Sequence, residues 1–519
     1  MMLSFAQGIF LERTEINKIN AISTKNKIII HKFTMKKQIE TLSSNQLFAP
    51  RQFFRLGGYF IVAIVFLNNI FKEFCMGILA LSDCPRYWPI SEFELHAPRL
   101  SQILVAICVS LFFSVSIFYL AKIRYRLPDV ILIGFILIMG SNLTQGWIHG
   151  FITPTADWRQ YYAEAIRIKS AMPFLIDFEM IQPELGTHGA THPPGATLLY
   201  YFLYKLFGRP EFISLAILII ALPLSSFFFY KIISVEFPPH LSGYLTLLFI
   251  LLPSVQIYYL ATIDALITCF LLGTLYFFLH PKFSVSVIGG IICLFFASFM
   301  TFGFLFMIPI IVGFDIIHAF SSSLKGSESP HPNPFPLKGR GKGWGPPRSA
   351  IIMIGLVLIY LWLYFTFDFN YLNSFFMASS IENPDGFRLF TEPINYVLTR
   401  IEGIFEIILF FGPFLGILAI RGMLSMRKLN STFFSAKDKS SVLFLTCLAI
   451  ATLLAMFATG AYRTGETARV CMFMYPFLLF PVASYLNSLE IFGRKEQIIL
   501  ASSIFAQTII MQLMGNYIW

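Results

Sequence analysis

Residues able to do chemistry gather in short stretches that each adjoin a long apolar run. One is Thr-Ala-Asp157-Trp-Arg159-Gln-Tyr161-Tyr162; another is Gly-Thr-His188-Gly-Ala-Thr-His192-Pro-Pro-Gly195. A carboxylate at a membrane–water boundary is partly desolvated, which makes it more basic. Asp157 occupies such a place and is a candidate to take the proton of an attacking hydroxyl. The plainer alternative is an ion pair with Arg159. His192-Pro-Pro-Gly reads as a helix start, because proline suits the first helical turn and the amides left over there attract phosphate. His188 and His192 add donors for a phosphate or a sugar hydroxyl, or else stand as solvent-facing rings on a rigid turn. Asp264, in Ala-Thr-Ile-Asp-Ala, is either a helix cap or a second carboxylate facing the same cavity as Asp157. The last stretch, Tyr462-Arg463-Thr-Gly-Glu466-Thr-Ala-Arg469, offers two guanidinium groups suited to a bidentate hold on phosphate. Glu466 is spaced to bridge either arginine.

The elements that must position these residues are membrane helices. Of 519 residues, 56% are hydrophobic and 13% charged, with a mean hydropathy of +0.70. Soluble domains carry about a quarter charged residues, so a water-soluble fold is excluded. The net charge of +10 suggests nucleic acid only at first sight. Its lysines and arginines cluster between apolar runs, as cytoplasmic loops do, so no nucleic-acid partner is expected. The seven cysteines are scattered without a CxxC pair, which predicts neither a disulfide framework nor a structural zinc.

Runs long enough to cross the hydrocarbon predict an all-α, polytopic transmembrane bundle of about thirteen crossings. The predicted spans are 57–81, 99–121, 129–151, 211–233, 240–258, 261–280, 284–298, 302–318, 349–367, 396–420, 441–459, 470–488 and 497–515. With the N-terminus inside, Lys122, Arg124 and Arg126 are cytoplasmic and the loop 152–210 lies outside. Ala196–Phe207 reaches only about 18 Å as a helix, too short to span, and is placed along the outer surface with Tyr200, Tyr201 and Tyr204 at the interface. That choice puts the later basic loops inside, including Arg348, Arg421, Arg427 and Arg494, and leaves Arg388, Arg463 and Arg469 outside. It also requires 284–318 to be two short passes. Residues 1–55 are a basic cytoplasmic segment with no assigned function, in which Met35-Lys-Lys resembles a start. The Pro-, Gly- and Lys-rich insert within 321–348 is expected to be disordered and to carry no chemistry.

A transmembrane helix, an outer loop opening on Asp157, and His192-Pro-Pro before a short surface helix resemble the GT-C class of glycosyltransferases. That class includes the protein O-mannosyltransferases and the lipid A aminoarabinose transferases. The likeness covers about 129–280, with the later Gly-Glu466-Thr-Ala-Arg469 turn. It implies a polyprenyl-phosphate sugar donor, an inverting displacement, and a glycan, lipid or protein acceptor outside the cytoplasmic membrane. By that resemblance Asp157 is the general base or acceptor-orienting carboxylate and Asp264 the second acidic position. Arg159, Tyr161, His188, His192, Arg463, Glu466 and Arg469 would line the substrate. Two crossings precede the Asp157 helix where the best-known members have none. The first outer loop also lacks an Asp-x-Asp pair, which weakens the case for a divalent metal. Two other readings fit the same chain: a polysaccharide polymerase or ligase using diphosphate-linked glycans, and a secondary transporter. The transporter reading lacks repeated halves in the sequence.

Overall fold

The structure, a computed structural model, describes residues 50–73, 93–324, 347–429, 440–460, 466–489 and 492–517. The chain divides into two units, Met1–Phe60 and Ile61–Trp519. The described part of the first is the opening of the helix Pro50–Glu73. All the other described elements belong to the second. The N-terminal segment before Pro50, the basic insert from 325 to 346, and Arg463 lie outside the described residues.

The described chain is helical, apart from one short ladder in which Phe93–Leu95 pairs antiparallel with Gly515–Tyr517. Five helices are long and apolar enough to cross a membrane: Leu100–Lys122, Pro210–Ile233, Phe283–Met300, Arg348–Phe367 and Arg494–Met514. A sixth appears if Pro393–Phe411 and its continuation count as one span. At 1.5 Å per residue such helices match the hydrocarbon thickness. Their exposed faces are apolar. Ile354, Leu358, Leu361 and Phe365 form one exposed stripe along Arg348–Phe367, a surface suited to lipid rather than water. Pro239–Leu251 stands at the other extreme, with every residue from Leu241 to Leu251 buried.

Several predicted spans are broken, each for a local reason. The run 240–258 divides at Leu252, which is extended (ψ 137°) because Pro253 follows and disfavours a helical preceding residue. The Gln256 side chain closes that gap, donating to the Ile250 carbonyl at 2.8 Å. The Ser141 hydroxyl donates to Gln256 Oε1 at 3.0 Å, and the Asn142 amide donates to the Gln256 carbonyl at 2.7 Å. The run 396–420 breaks at Gly412, whose φ of +92° suits glycine, and the helices either side are bent by 100°. The run 129–151 is helical only to Leu143, then turns through Gly146 into a π-helix, Ile148–Ile152. The run 470–488 enters through a 3₁₀ turn at Met472–Met474. At Thr301 the backbone is extended, and the stretch 284–318 divides there into Phe283–Met300 and, after a 3₁₀ turn at Phe302–Phe306, Met307–Leu324.

The loop 152–210 folds into short helices that end in Pro194–Phe207. Pro194 holds the first-turn position and Gly208, at φ +72°, ends the helix. The Pro-Pro-Gly start is therefore as expected. The tyrosine placement is corrected. Tyr200 and Tyr201 are buried against protein, and the Tyr200 hydroxyl donates to the Ala261 carbonyl at 2.7 Å. The face turned outward carries Phe202, Leu206 and Phe207 instead. Gly195 explains the tight seating: a Cβ there would stand 2.2 Å from the Phe299 carbonyl oxygen.

Candidate functional site

Side chains from separate stretches of the chain converge on one cluster. Tyr161, buried in the loop helix Tyr161–Ala165, lies at its centre. Its ring is 5.8 Å from His188, 5.5 Å edge-on from His192 and 5.6 Å from Tyr200. Asp264 enters in the first turn of Ile263–Phe278, and Arg469 from the short helix Thr467–Val470. Arg469 Nε lies 3.3 Å from Asp264 Oδ2, and the Arg469 guanidinium also pairs with Glu466. Both His188 and His192 feel the Arg469 charge, as does Tyr161. Among the described residues, the structure brings every predicted site residue into this cluster or onto its edge.

Asp157 sits at the edge as one half of an ion pair. Arg159 donates to its two carboxylate oxygens, Nε to Oδ1 at 2.9 Å and Nη2 to Oδ2 at 3.3 Å. The Arg159 backbone N–H adds a third bond at 3.0 Å. Partial burial works to raise the Asp157 pKa, but these bonds and the Arg159 charge outweigh it, and the net shift is downward. The expectation of a more basic carboxylate is thus corrected, because desolvation loses to a bidentate arginine.

The two histidines are neutral. Burial, with Arg469 and Arg159 nearby, lowers His188 to about 3. Burial, His188 and Arg469 lower His192 to about 3. His192 Nδ1 lies 3.1 Å from the His188 carbonyl, which can only accept, so Nδ1 carries the proton and Nε2 is the accepting nitrogen. An accepting Nε2 suits a sugar hydroxyl and not a phosphate. That narrows the donor role expected of His192. His188 is buried rather than solvent-facing.

Asp264 is not a cap. Thr262 holds the cap position, and the Asp264 carboxylate is turned to Arg469. The turn before it is strained: Ala261 has φ +88°, a region costly for any residue with a Cβ. Its carbonyl is the one that receives the Tyr200 hydroxyl, so Pro194–Phe207 and the Asp264 turn are fixed to each other. Arg469 is buried and fully charged, a state tolerated only with such partners.

One neighbour was not singled out from the sequence. Glu406, buried in Pro393–Phe411, accepts from the Ala468 N–H at 3.3 Å. Its signal was present, since Glu402 and Glu406 recur at helical spacing inside an apolar run, where charge is unfavourable. Among the described residues no group of three or more His, Cys, Asp or Glu is arranged to hold a metal ion.

No protein-family model matches this sequence, and no curated protein matches it either.

Proposed function

We propose that the protein is a membrane glycosyltransferase of GT-C type, moving a sugar from a polyprenyl-phosphate donor to an envelope glycan, lipid or protein. In this reading about thirteen crossings place the cluster on the outer face of the cytoplasmic membrane. The observation that carries it is the convergence of Asp157, Tyr161, His188, His192, Asp264 and Arg469 from distant parts of an apolar chain. A hydroxyl oxygen of the acceptor attacks the anomeric carbon while the bond to the phosphate oxygen breaks, and the lipid phosphate departs. Asp157 orients the hydroxyl and accepts its proton late, in keeping with its lowered basicity. His192 Nε2 accepts from a sugar hydroxyl. Arg469 meets the leaving phosphate, which takes the place of Glu466, the more exposed of its two carboxylate partners.

Transfer of radiolabelled sugar from polyprenyl-phosphate donors into envelope glycans tests this. Membranes carrying Asp157→Asn should lose at least about a hundredfold of the wild-type rate, the usual scale for a positioned proton acceptor. Full activity in a folded Asp157→Asn variant would move the proton acceptor to another group. Absence of transfer from every donor by the wild type would end the glycosyltransferase reading.

A further inference from the structure

We infer that Glu406 is a positioning residue, which sets where Arg469 presents its guanidinium by holding the backbone of Ala468. The inference rests on the role given to Arg469 in sugar transfer. Thr467–Val470 is only four residues long, and a single helical turn does not hold its own shape. Its partners come from Pro393–Phe411 and from Tyr475. Glu406, 2% exposed, accepts from the Ala468 N–H, and the Tyr475 hydroxyl donates to the Ala468 carbonyl at 3.1 Å. The residue before Arg469 is therefore held at both of its backbone polar atoms. The Tyr475 ring in turn stacks on Phe411 of the same helix as Glu406, with ring centres 6.1 Å apart. One turn before Glu406, Gly403 leaves room for the Thr467 side chain: a Cβ there would stand 3.2 Å from Thr467 Oγ1. A carboxylate buried in an apolar helix is costly to keep, and this one is used to fix the turn that carries the arginine. Arg469 is then aimed at Asp264 by the scaffold, and stays aimed when Glu466 lets go.

Reaction of Arg469 with phenylglyoxal, followed by peptide mass spectrometry on the full chain in lipid nanodiscs, tests this without any turnover. Arg348 serves as the internal reference, because it is equally buried but bonded elsewhere, to the carbonyls of Phe278 and His280. Glu406→Leu removes the acceptor and should speed Arg469 modification by about tenfold or more while Arg348 is unchanged. Glu406→Gln keeps an accepting oxygen and should restore the slow rate. In transfer assays Glu406→Leu should lower kcat and kcat/KM for the donor by about tenfold or more, and Glu406→Gln should restore both. Arg469 remaining slow in Glu406→Leu would overturn the inference. So would equal acceleration of Arg348, which would mark general loosening. A wild-type protein that transfers no sugar would sink the proposed function and leave the phenylglyoxal result standing.

Discussion

Two neutral imidazoles in one buried cluster make stability depend on pH. An unfolded histidine titrates near 6.5, whereas His188 and His192 in the fold titrate at about 3. Between those values the unfolded chain binds protons that the fold refuses. Their contribution is therefore complete above about pH 7 and is lost as pH falls through 6.5 toward 3. At pH 5 the loss amounts to up to roughly 2 kcal/mol for each ring. The melting temperature should fall between pH 7.5 and pH 5, and His188→Gln should remove part of that fall. An unchanged fall in His188→Gln would mean that the ring is not held neutral. Asp157 does not confuse the test, because its lowered pKa acts only below the ordinary aspartate range. At this scale much was legible. The Asp157–Arg159 pair and the Glu466–Arg469 bridge both follow from short spacing. What spacing does not carry is which force wins at Asp157, since that depends on Arg159 reaching both oxygens at once.

Elements succeed or fail on backbone approach. Gly195→Ala would push a methyl into the Phe299 carbonyl, a backbone atom that cannot swing aside. Overpacking of this kind costs about 1–3 kcal/mol. The variant should melt several degrees lower and lose transfer along with the Tyr200–Ala261 bond. A variant as stable and active as the parent would show that Pro194–Phe207 does not seat against Phe283–Met300. The ends of the long helices were legible to within a few residues, because apolar runs stop where charge begins. The break at Thr301 was legible too, falling between the predicted spans 284–298 and 302–318, whereas those at Leu252 and Gly412 were not, although Pro253 and Gly412-Pro413 announce them. Hydropathy averages over a window and registers how oily a stretch is, not whether its backbone bends.

For the whole molecule, the Asp264–Arg469 pair was out of reach of sequence patterns. The partners are far apart along the chain, and only the packed bundle makes them neighbours. The proposed orientation has its own test. In a variant lacking native cysteines, Glu184→Cys should react with a membrane-impermeant maleimide in intact cells, and Arg124→Cys should react only after lysis. The opposite pattern would invert the molecule and put the cluster on the inner face.

The short ladder between Phe93–Leu95 and Gly515–Tyr517 fixes a parity for the topology. Backbones that share hydrogen bonds lie on the same side of any bilayer, so the chain between them must traverse it an even number of times. The Asp264–Arg469 pair imposes the same parity on the stretch it encloses. A redrawn topology that promotes or demotes one helix within either interval must change another in that interval to match.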